Sequence, residues 1–386
     1  MARLNHFEYI VHIKNLKEVL GRGILSHNEV KKLGIKAEMI SNQQVMELRK
    51  NKLVEGDKTL WDYANVYFKA RNPMLFNIIQ KYGVDNLVIL GLKPTITGLD
   101  GVRITNGNAA NYNTEILPKS QLSEVFTSIQ KVLDSDYWKE GDDSKRKMMA
   151  ECLVPKQIPP SYISSIYVAN LKVKQAVEKM LENIGEDHKI IVDTDLFFQG
   201  KVKEIINNIS IIQGDMFFSL MQTLTISVNT IGIMGKGLAS RAKYQFPDVY
   251  VHYQDLCKKG ELVMGRPALY QRDKPISETL GAEYVDGEEP TWFLLFPTKT
   301  HYRYNSDIKG IESGLIWLKN NYEKLGIKSI ALPALGCGLG NLSWSLVGPL
   351  MVKHLKDLKI DVAIYLPAEK DVPKEWTTKD FLLRNN

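Results

Sequence analysis

The alternation of apolar and polar residues divides the chain into two parts. From about residue 207 onward, short β-rich runs alternate with helical patterns, which is typical of a sheet covered by helices. The predicted strands are Ile209–Gln213, Thr223–Asn229, Trp292–Pro297, Ser329–Leu335 and Asp361–Leu366. Several of them are apolar throughout, which indicates burial on both faces. The predicted helices lie at about Leu238–Phe246, Ile308–Leu325 and Ser345–Leu358. We therefore expect an α/β/α sandwich in this part.

Residues 1–200 show a different pattern, in which helices come first and strands follow. The predicted helices are Leu16–Gly21 and Ser41–Leu53. The predicted strands are Asn86–Leu92, Ala150–Val154, Tyr162–Val168 and Lys189–Asp193. The segment Lys93–Ser120 is rich in Gly, Asn and Thr, which predicts loops. An α+β domain fits best, with a boundary near Gly200–Asn208 that gives domains of residues 1–203 and 207–386.

Composition narrows the class of protein. The 386 residues are 44% apolar and 24% charged, which is the balance of a globular protein. No run approaches the roughly 20 apolar residues that span a bilayer, and the first residues lack a secretory signal, so we expect a cytoplasmic protein without membrane contact. Three widely spaced cysteines favour neither a disulfide framework nor a zinc site, and no metal is expected. The net charge of +6 permits contact with nucleic acid without requiring it.

A carboxylate follows the strand Ile209–Gln213 in the second part. Asp215 lies just beyond this strand, at the edge of the predicted sheet. At that position a carboxylate can accept a hydrogen bond from an exocyclic amine such as that of adenine. An Asp after a strand is, however, most often a helix N-cap.

Two glycine-rich runs follow two other predicted strands. The first run comes after Asn229 and contains Gly232, Met234, Gly235, Lys236 and Gly237, and the second contains Gly336, Cys337, Gly338, Leu339 and Gly340. Glycines allow the backbone to approach a ligand closely, and successive N–H groups form an anion site suited to a pyrophosphate. Neither run has the spacing of a P-loop or of a dinucleotide fingerprint. For the first run, a tight strand-to-helix turn is the alternative.

The region of about Ile209–Pro367 contains three motifs: V-N-T-I-G-I-M-G-K-G-L-A, F-P-T-K-T-H and A-L-P-A-L-G-C-G-L-G. Through these three motifs together, the region resembles the macrodomains of the DarG antitoxin type. The resemblance implies an α/β/α fold with a mixed, mostly parallel sheet that binds ADP-ribose and removes it from a modified target. By position, Asp215 would hold the adenine, Asn229 and Gly232–Gly237 the distal ribose, and Gly336–Gly340 the diphosphate. Lys299 matches the lysine needed for removal. Such a lysine either attacks the anomeric carbon as a neutral amine or stabilises charge as a cation.

The first part contains fewer motifs. In Asp62–Leu75, aromatic side chains alternate with Lys69 and Arg71, an arrangement that can bind a nucleotide or a single strand. A core strand with an exposed edge is the more common explanation of such a run. Glu151 is a lone carboxylate among apolar neighbours, which suits a catalytic position, although a solvated Glu at a strand end is more common.

This part resembles the DarT toxins, which are ADP-ribosyltransferases acting on DNA bases. The matching residues are His12-Ile13-Lys14-Asn15-Leu16, Gly23-Ile24-Leu25, Tyr67-Phe68, Arg71-Asn72-Pro73-Met74 and Ala150-Glu151-Cys152-Leu153-Val154. The resemblance implies NAD as a substrate, Glu151 as the catalytic glutamate and Arg49 as the arginine that assists it, unless the register shifts by one residue to Lys50. It also implies NAD-binding residues, namely Tyr9, His12, Asn15, Tyr67 and Arg71.

One departure from the DarT pattern lies at Tyr9-Ile10-Val11, where the family usually has His-x-Thr. Tyr9 is still able to stack or to form a hydrogen bond, whereas Val11 lacks the hydroxyl. The whole chain thus resembles a fused DarT–DarG toxin–antitoxin pair, which implies single-stranded DNA, NAD and ADP-ribose as partners and a contact between the two domains. Thymidine is the expected target base and guanine the alternative. Two rival hypotheses remain: a macrodomain that reads ADP-ribose beside an inactive transferase, and a transferase that acts on RNA or protein.

Overall fold

The computed structural model describes residues 6–40, 43–184, 188–282, 288–367 and 370–384. The chain forms two compact units. The first comprises Met1–Phe197 with Leu280–Val285, and the second comprises Phe198–Thr279 with Asp286–Asn386. Each unit has its own sheet and its own apolar core.

Short strands and helices alternate along the first unit. Its strands are β1 (Phe7–His12), β2 (Ile24–Leu25), β3 (Leu53–Glu55), β4 (Lys58–Thr59), β5 (Tyr63–Tyr67), β6 (Leu87–Leu92), β7 (Arg103–Thr105), β8 (Ile116–Pro118), β9 (Glu151–Pro155), β10 (Gln157–Ile158), β11 (Ile163–Val168) and β12 (Ile190–Val192). Its helices are α1 (Leu16–Arg22), α2 (His27–Lys32), α3 (Gln43–Asn51), α4 (Pro73–Tyr82), α5 (Leu122–Leu133), α6 (Ser144–Lys147) and α7 (Leu171–Ile184).

Eight of these strands form one sheet in the order β12-β11-β6-β1-β5-β9-β7-β8. Only β11 and β12 pair in parallel, and the other neighbours are antiparallel. An apolar cluster joins the sheet to α1 and α7, with Val11 and Val88 packing near Leu16 and Val177. The expected α+β class is confirmed for this unit.

The second unit has fewer, longer elements. Its strands are β13 (Lys201–Ile206), β14 (Ile209–Gln213), β15 (Thr223–Asn229), β16 (Ala268–Tyr270), β17 (Trp292–Lys299), β18 (Ser329–Pro333) and β19 (Asp361–Tyr365). The helices in this part of the chain are α8 (Gly237–Gln245), α9 (Pro247–Lys258), α10 (Ile276–Leu280), α11 (Ile308–Leu325), α12 (Trp344–Leu355) and α13 (Lys379–Leu383).

Seven strands form the second sheet, in the order β13-β14-β19-β18-β15-β17-β16. The pairs from β14 to β17 are parallel, and only the two edge strands are antiparallel. Strand β17 is apolar on both faces because both are covered: Phe296 packs in the cluster with α11 and α12, whereas Phe293 contacts Phe246 between α8 and α9. The expected α/β/α fold with a mixed, mostly parallel sheet is confirmed.

Two local predictions for the first unit are wrong. The first described element is a strand, β1, and not a helix. Its apolar pattern is interrupted by Glu8, which is nevertheless buried because its carboxylate accepts a hydrogen bond from the backbone N–H of Ala70. The segment Lys93–Ser120 was expected to form loops but contains β7 and β8, since β7 pairs with the distant strand β9.

Candidate active sites

Glu151 is the first residue of β9 and has a side chain that is only 1% exposed. Its carboxylate is held from two sides. Arg49 donates from both terminal nitrogens, with Nη1 to Oε1 at 3.1 Å and Nη2 to Oε2 at 2.9 Å. The backbone N–H of Ala109 donates to Oε1 at 2.9 Å. This bidentate geometry fixes the orientation of the carboxylate.

Arg49 lies on α3, a polar helix in which it is the one buried residue. The indole N–H of Trp61 donates to the carbonyl of Met46 at 3.1 Å and so anchors this helix. The neighbouring Lys50 points outward and forms an ion pair with Glu47. Burial acts to lower the pKa of Arg49, but the charge and hydrogen bonds of Glu151 outweigh it and raise that pKa. The guanidinium therefore stays protonated.

The loop between β7 and β8 completes the surroundings of Glu151. The hydroxyl of Thr105 accepts from the backbone N–H of Glu151 at 2.8 Å and donates to the carbonyl of Gly107 at 2.6 Å. Arg146 spans the same loop, with Nη1 donating to the Asn106 side chain at 3.0 Å and to the Thr114 hydroxyl at 2.9 Å. These bonds hold the Ala109 N–H toward the carboxylate.

A second cation lies near the ion pair. The ammonium group of Lys52 donates to the carbonyl of Asn111. Burial lowers the pKa of Lys52, and the charges of Arg49 and Arg146 add to this effect, whereas the charge of Glu151 opposes it.

A cavity in the first unit is lined by four of the five residues expected to bind NAD. These are Tyr9, His12, Asn15 and Tyr67. Tyr67 connects the cavity to the ion pair, since it lies opposite Glu151 in the register of β5 and β9. His27 also lines the cavity, and burial together with the charge of Arg49 lowers its pKa to about 4. The imidazole of His27 is therefore neutral near pH 7.

The fifth residue, Arg71, is not among the residues that line this cavity. Its guanidinium donates to the backbone carbonyls of Asp195 at 2.8 Å and Asp136 at 2.6 Å. Its neighbour Asn72 caps α4 by accepting from the N–H groups of Met74 and Leu75. The Arg71-Asn72-Pro73-Met74 motif thus has a structural role at the N-terminus of α4.

The side chain of Asn15, which lines the cavity, forms hydrogen bonds with the backbone of Glu38. Its side-chain amide donates to the carbonyl of Glu38 at 2.8 Å, and its carbonyl accepts from the N–H of the same residue at 2.9 Å. Tyr9 and Val11 occupy the positions that depart from the DarT pattern. Val11 belongs to the apolar cluster with α1, and burial raises the pKa of Tyr9 to about 12.

In the second unit, the candidate residues gather where the parallel strands end, which is the usual ligand site of such sheets. Asn229 ends β15 and lies opposite Lys299, the last residue of β17. The Nζ atom of Lys299 donates to the carbonyl of Leu339 at 3.2 Å, which joins it to the second glycine-rich run. Burial lowers the pKa of Lys299. Within the described ranges, no carboxylate lies within ion-pair distance of this amine.

The Asn229 side chain organises the first glycine-rich run. Its carbonyl oxygen accepts from the N–H of Ile231 at 3.1 Å and of Ile233 at 3.4 Å, and its amide donates to the carbonyl of Ile233 at 2.6 Å. The hydroxyl of Tyr253 donates to Asn229 as well, at 2.9 Å. Asn229 therefore holds the run in place. Met234 in the same run is buried.

The other residues of the first run differ in backbone conformation and in the space around them. Gly232 has a φ of +83°, which disfavours any other residue. Gly237 begins α8, and Lys236 is its exposed N-cap residue. Gly235 has space for a Cβ atom, which would meet only the Cγ2 atom of Ile233, at 3.9 Å.

The second glycine-rich run is closed on itself. Gly336 has a φ of +74°, and Gly340 lies against its carbonyl and against the Ser306 hydroxyl. Cys337 is buried, which raises its pKa to about 12, whereas Leu339 is 52% exposed and Gly338 is partly exposed. Among the described residues, the buried Ser306 hydroxyl has no hydrogen-bond partner.

Asp215 both caps a helical turn and forms an ion pair. It accepts from the N–H of Phe217 at 3.1 Å, and Nη1 of Arg241 donates to its other oxygen. The guanidinium of Arg241 also lies 5.0 Å from the ring of Phe217 and 5.5 Å from that of Phe218. Sequence reasoning missed Arg241, because nothing in α8 distinguishes it from a solvated helix residue.

No three His, Cys, Asp or Glu side chains in the described ranges are arranged to hold a metal ion. No helix in this part of the chain is long and apolar enough to cross a membrane.

Comparisons with known proteins bear on both units. A family model for DarT, described as ssDNA thymidine ADP-ribosyltransferase, matches residues 9–198. A Thermosipho africanus protein described as a DNA ADP-ribosyl transferase-DNA ADP-ribosyl glycohydrolase fusion protein is 48% identical over 386 residues, which are 99% of each chain. The solved structure of Thermosipho africanus DarTG in complex with ADP-ribose has a TM-score of 0.92 and covers 98% of this chain and 100% of that chain, at 48% identity. A DNA ADP-ribosyl glycohydrolase of Thermus aquaticus is 35% identical over 159 residues, 41% of each chain.

Proposed function

Because the chain belongs to the family of DNA ADP-ribosyl transferase–DNA ADP-ribosyl glycohydrolase fusion proteins, we propose that it both writes and erases ADP-ribose on DNA. The first unit transfers ADP-ribose from NAD to thymidine in single-stranded DNA, in keeping with the family model that matches it. The second unit binds ADP-ribose and hydrolyses it off the modified base. The observation that best supports the transferase is the buried Arg49–Glu151 pair beside the cavity.

Transfer breaks the bond between nicotinamide and the ribose carbon C1″ and joins that carbon to a ring nitrogen of the base, which loses its proton to solvent. Positive charge develops on the ribose as nicotinamide leaves, and a fixed carboxylate stabilises it. Glu151 suits this role. Its Oε2 atom accepts one described hydrogen bond, from Arg49, so an acceptor position remains for a ribose hydroxyl. Arg49 keeps the carboxylate oriented through its two hydrogen bonds.

The cavity supplies NAD binding in this proposal. Tyr9 and Tyr67 offer aromatic faces, and the neutral imidazole of His27 adds a ring that does not repel the developing cation. Asn15 fixes the Glu38 backbone, which forms part of the wall. We propose that Arg71 acts through the backbone of its neighbours rather than by contact with NAD.

In the second unit, the two glycine-rich runs bind the distal ribose and the diphosphate through backbone N–H groups. Asp215 accepts from the adenine amine, and Arg241 orients its carboxylate. Lys299 is connected to both runs. It lies opposite Asn229 in the register of β15 and β17, and its Nζ atom donates a hydrogen bond to the carbonyl of Leu339 in the second run. Its lowered pKa and the lack of an ion-pair partner among the described residues favour the neutral amine as a nucleophile at C1″. This attack breaks the bond between C1″ and the base, which leaves with the proton given up by the amine. Water then cleaves the bond between the lysine and C1″, which releases ADP-ribose and restores the lysine.

The proposal is tested with the full chain, in which one site at a time is silenced. The Lys299→Ala variant, given NAD and single-stranded oligonucleotides that contain thymidine or guanine, should accumulate a thymidine adduct detected by mass spectrometry. The Glu151→Gln/Lys299→Ala double variant should accumulate none. The Glu151→Gln variant, given purified ADP-ribosylated oligonucleotide, should release ADP-ribose.

Each half of the proposal has its own contrary result. If adducts form on guanine alone, guanine and not thymidine is the target base. Adducts on the protein or on RNA in place of DNA would refute a DNA-directed transferase. Tight binding of ADP-ribose without any release from modified DNA would make the second unit a reader.

A further inference from the structure

The segment Thr300–Asn305, which we call the aromatic loop, follows Lys299 directly and exposes its rings. The imidazole of His301 lies 4.4 Å from the ring of Tyr302 and 5.1 Å from that of Tyr304. Tyr302 is 43% exposed and Tyr304 is 63% exposed. Large rings are usually buried at least in part, so a cluster of exposed ones indicates a binding surface.

The aromatic loop is fixed at both ends to the glycine-rich runs. At its start, the hydroxyl of Thr230 donates to the carbonyl of Thr300 at 3.1 Å. Past its end, the N–H of Ser306 donates to the carbonyl of Gly340 at 2.9 Å. The Asn341 amide donates to the side chain of Asn305 at 2.9 Å. The rings are therefore held at a set place beside the proposed ADP-ribose site.

Internal hydrogen bonds give the loop a defined shape. The N–H of Tyr304 donates to the carbonyl of His301 at 3.1 Å, and the N–H of Arg303 donates to Nδ1 of His301 at 3.2 Å. A preorganised aromatic surface loses little entropy when it binds a flat partner.

The charge of the loop is positive. The guanidinium of Arg303 lies 5.4 Å from the ring of Tyr302. The nearest carboxylate in sequence, that of Asp307, is engaged in capping α11 through the N–H of Lys309. Exposed ring faces next to a cation match the bases and phosphates of a single strand, whereas paired bases offer no free faces.

We infer that the aromatic loop binds the nucleotides that flank the modified base in single-stranded DNA. Bases stack on Tyr302 and Tyr304, and Arg303 pairs with a backbone phosphate. The inference rests on the proposed function, since it makes this loop the part of the hydrolase site that recognises DNA rather than ADP-ribose. It predicts that the hydrolase prefers a modified oligonucleotide to a modified nucleoside.

The test uses the full chain with Glu151→Gln, so that no new ADP-ribose is added. Release is measured on an ADP-ribosylated single-stranded oligonucleotide and on ADP-ribosylated thymidine. Tyr302→Ala and Tyr304→Ala should each raise KM for the oligonucleotide roughly 5- to 160-fold, the range for loss of one base–aromatic stack. Release from the nucleoside and affinity for free ADP-ribose should not change.

Three further variants separate recognition from folding. Tyr304→Trp should keep the oligonucleotide KM, since it keeps a ring face. Arg303→Gln should raise that KM and weaken its dependence on salt. Tyr244→Ala, at an exposed tyrosine near the end of α8, should leave both substrates unaffected.

Several outcomes would overturn the inference. One is equal loss on both substrates, which would mean that the loop acts through Lys299 or the glycine-rich runs. Another is an unchanged oligonucleotide KM in both alanine variants, or no preference of the parent chain for the oligonucleotide. If the parent releases ADP-ribose from neither substrate, the proposed hydrolase itself is wrong, which is a distinguishable failure.

Discussion

Replacement of Glu151 by glutamine removes the charge of the carboxylate and keeps its size. In the native chain the carboxylate accepts two hydrogen bonds from Arg49 and one from Ala109. Glutamine retains an oxygen for Ala109 but directs an amide N–H₂ toward the guanidinium. The variant therefore leaves a buried cation without a counter-charge.

Two effects of different size follow. Loss of one partner of a buried pair costs about 3–5 kcal/mol of stability, so unfolding of the first unit should shift to lower temperature. Loss of the carboxylate in the transition state should slow ADP-ribose transfer at least ~100-fold, or roughly 2.7 kcal/mol. The double variant Glu151→Gln/Arg49→Gln removes the stranded cation and should recover part of the stability without recovering transfer.

The assay measures adduct formation on an oligonucleotide in the Lys299→Ala background, next to thermal unfolding of each variant. Glu8→Gln is the matched control, because Glu8 is also a buried carboxylate that accepts from a backbone N–H. It should lower stability and leave transfer by the folded chain in place. Undiminished transfer by Glu151→Gln would remove Glu151 from catalysis, and recovery of transfer in the double variant would make the effect structural.

Three further predictions concern groups outside this pair. Gly235→Val should weaken ADP-ribose binding at least tenfold, about 1.4 kcal/mol, with little loss of stability, because a Cβ atom there would meet only the Cγ2 atom of Ile233, at an ordinary contact distance of 3.9 Å; unchanged affinity by calorimetry would place the ligand elsewhere. ADP-ribose release should rise with pH toward the lowered pKa of Lys299, since the proposed nucleophile is the neutral amine, and a fall over the same range would support a cationic role. By NMR, His27 should titrate at about 4. Between about pH 4 and the ordinary histidine pKa of 6.5, His27 is protonated in the unfolded chain and neutral in the folded chain. The free energy of unfolding should therefore fall on acidification by up to ~1.4 kcal/mol per pH unit, and His27→Gln should remove this slope.

The second unit was the more predictable part of the chain, for a physical reason. Strand β15 and helix α11 have the predicted bounds, because β15 is buried on nearly its whole length and α11 presents a regular apolar stripe. Edge elements carry weaker patterns. Strand β13 is exposed over most of its length and was missed.

The first unit was less predictable because its sheet depends on distant pairing. Strand β7 has three residues and forms by pairing with β9. The site shows the same limit. Glu151 and Arg49 are 102 residues apart in the sequence, and no spacing rule connects them. Only the resemblance to the DarT toxins indicates that these two residues act together. The contributions of Ala109, Lys52 and His27 had no signal in the sequence, since one is a backbone N–H and the others depend on burial.

The two sites handle positive charge in opposite ways, and this difference follows from the chemistry proposed for each. The proposed transferase site has to stabilise a transient ribose cation, which calls for a carboxylate, and a buried arginine holds the Glu151 carboxylate in a fixed orientation. In the hydrolase site, Lys299 lies half-buried against the Leu339 carbonyl, where burial favours its neutral form. An aspartate placed beside Lys299 would raise its pKa and imitate the first site. Such a variant should therefore keep ADP-ribose binding and lose release near neutral pH, whereas retained release would show that the charged form of Lys299 is the active one.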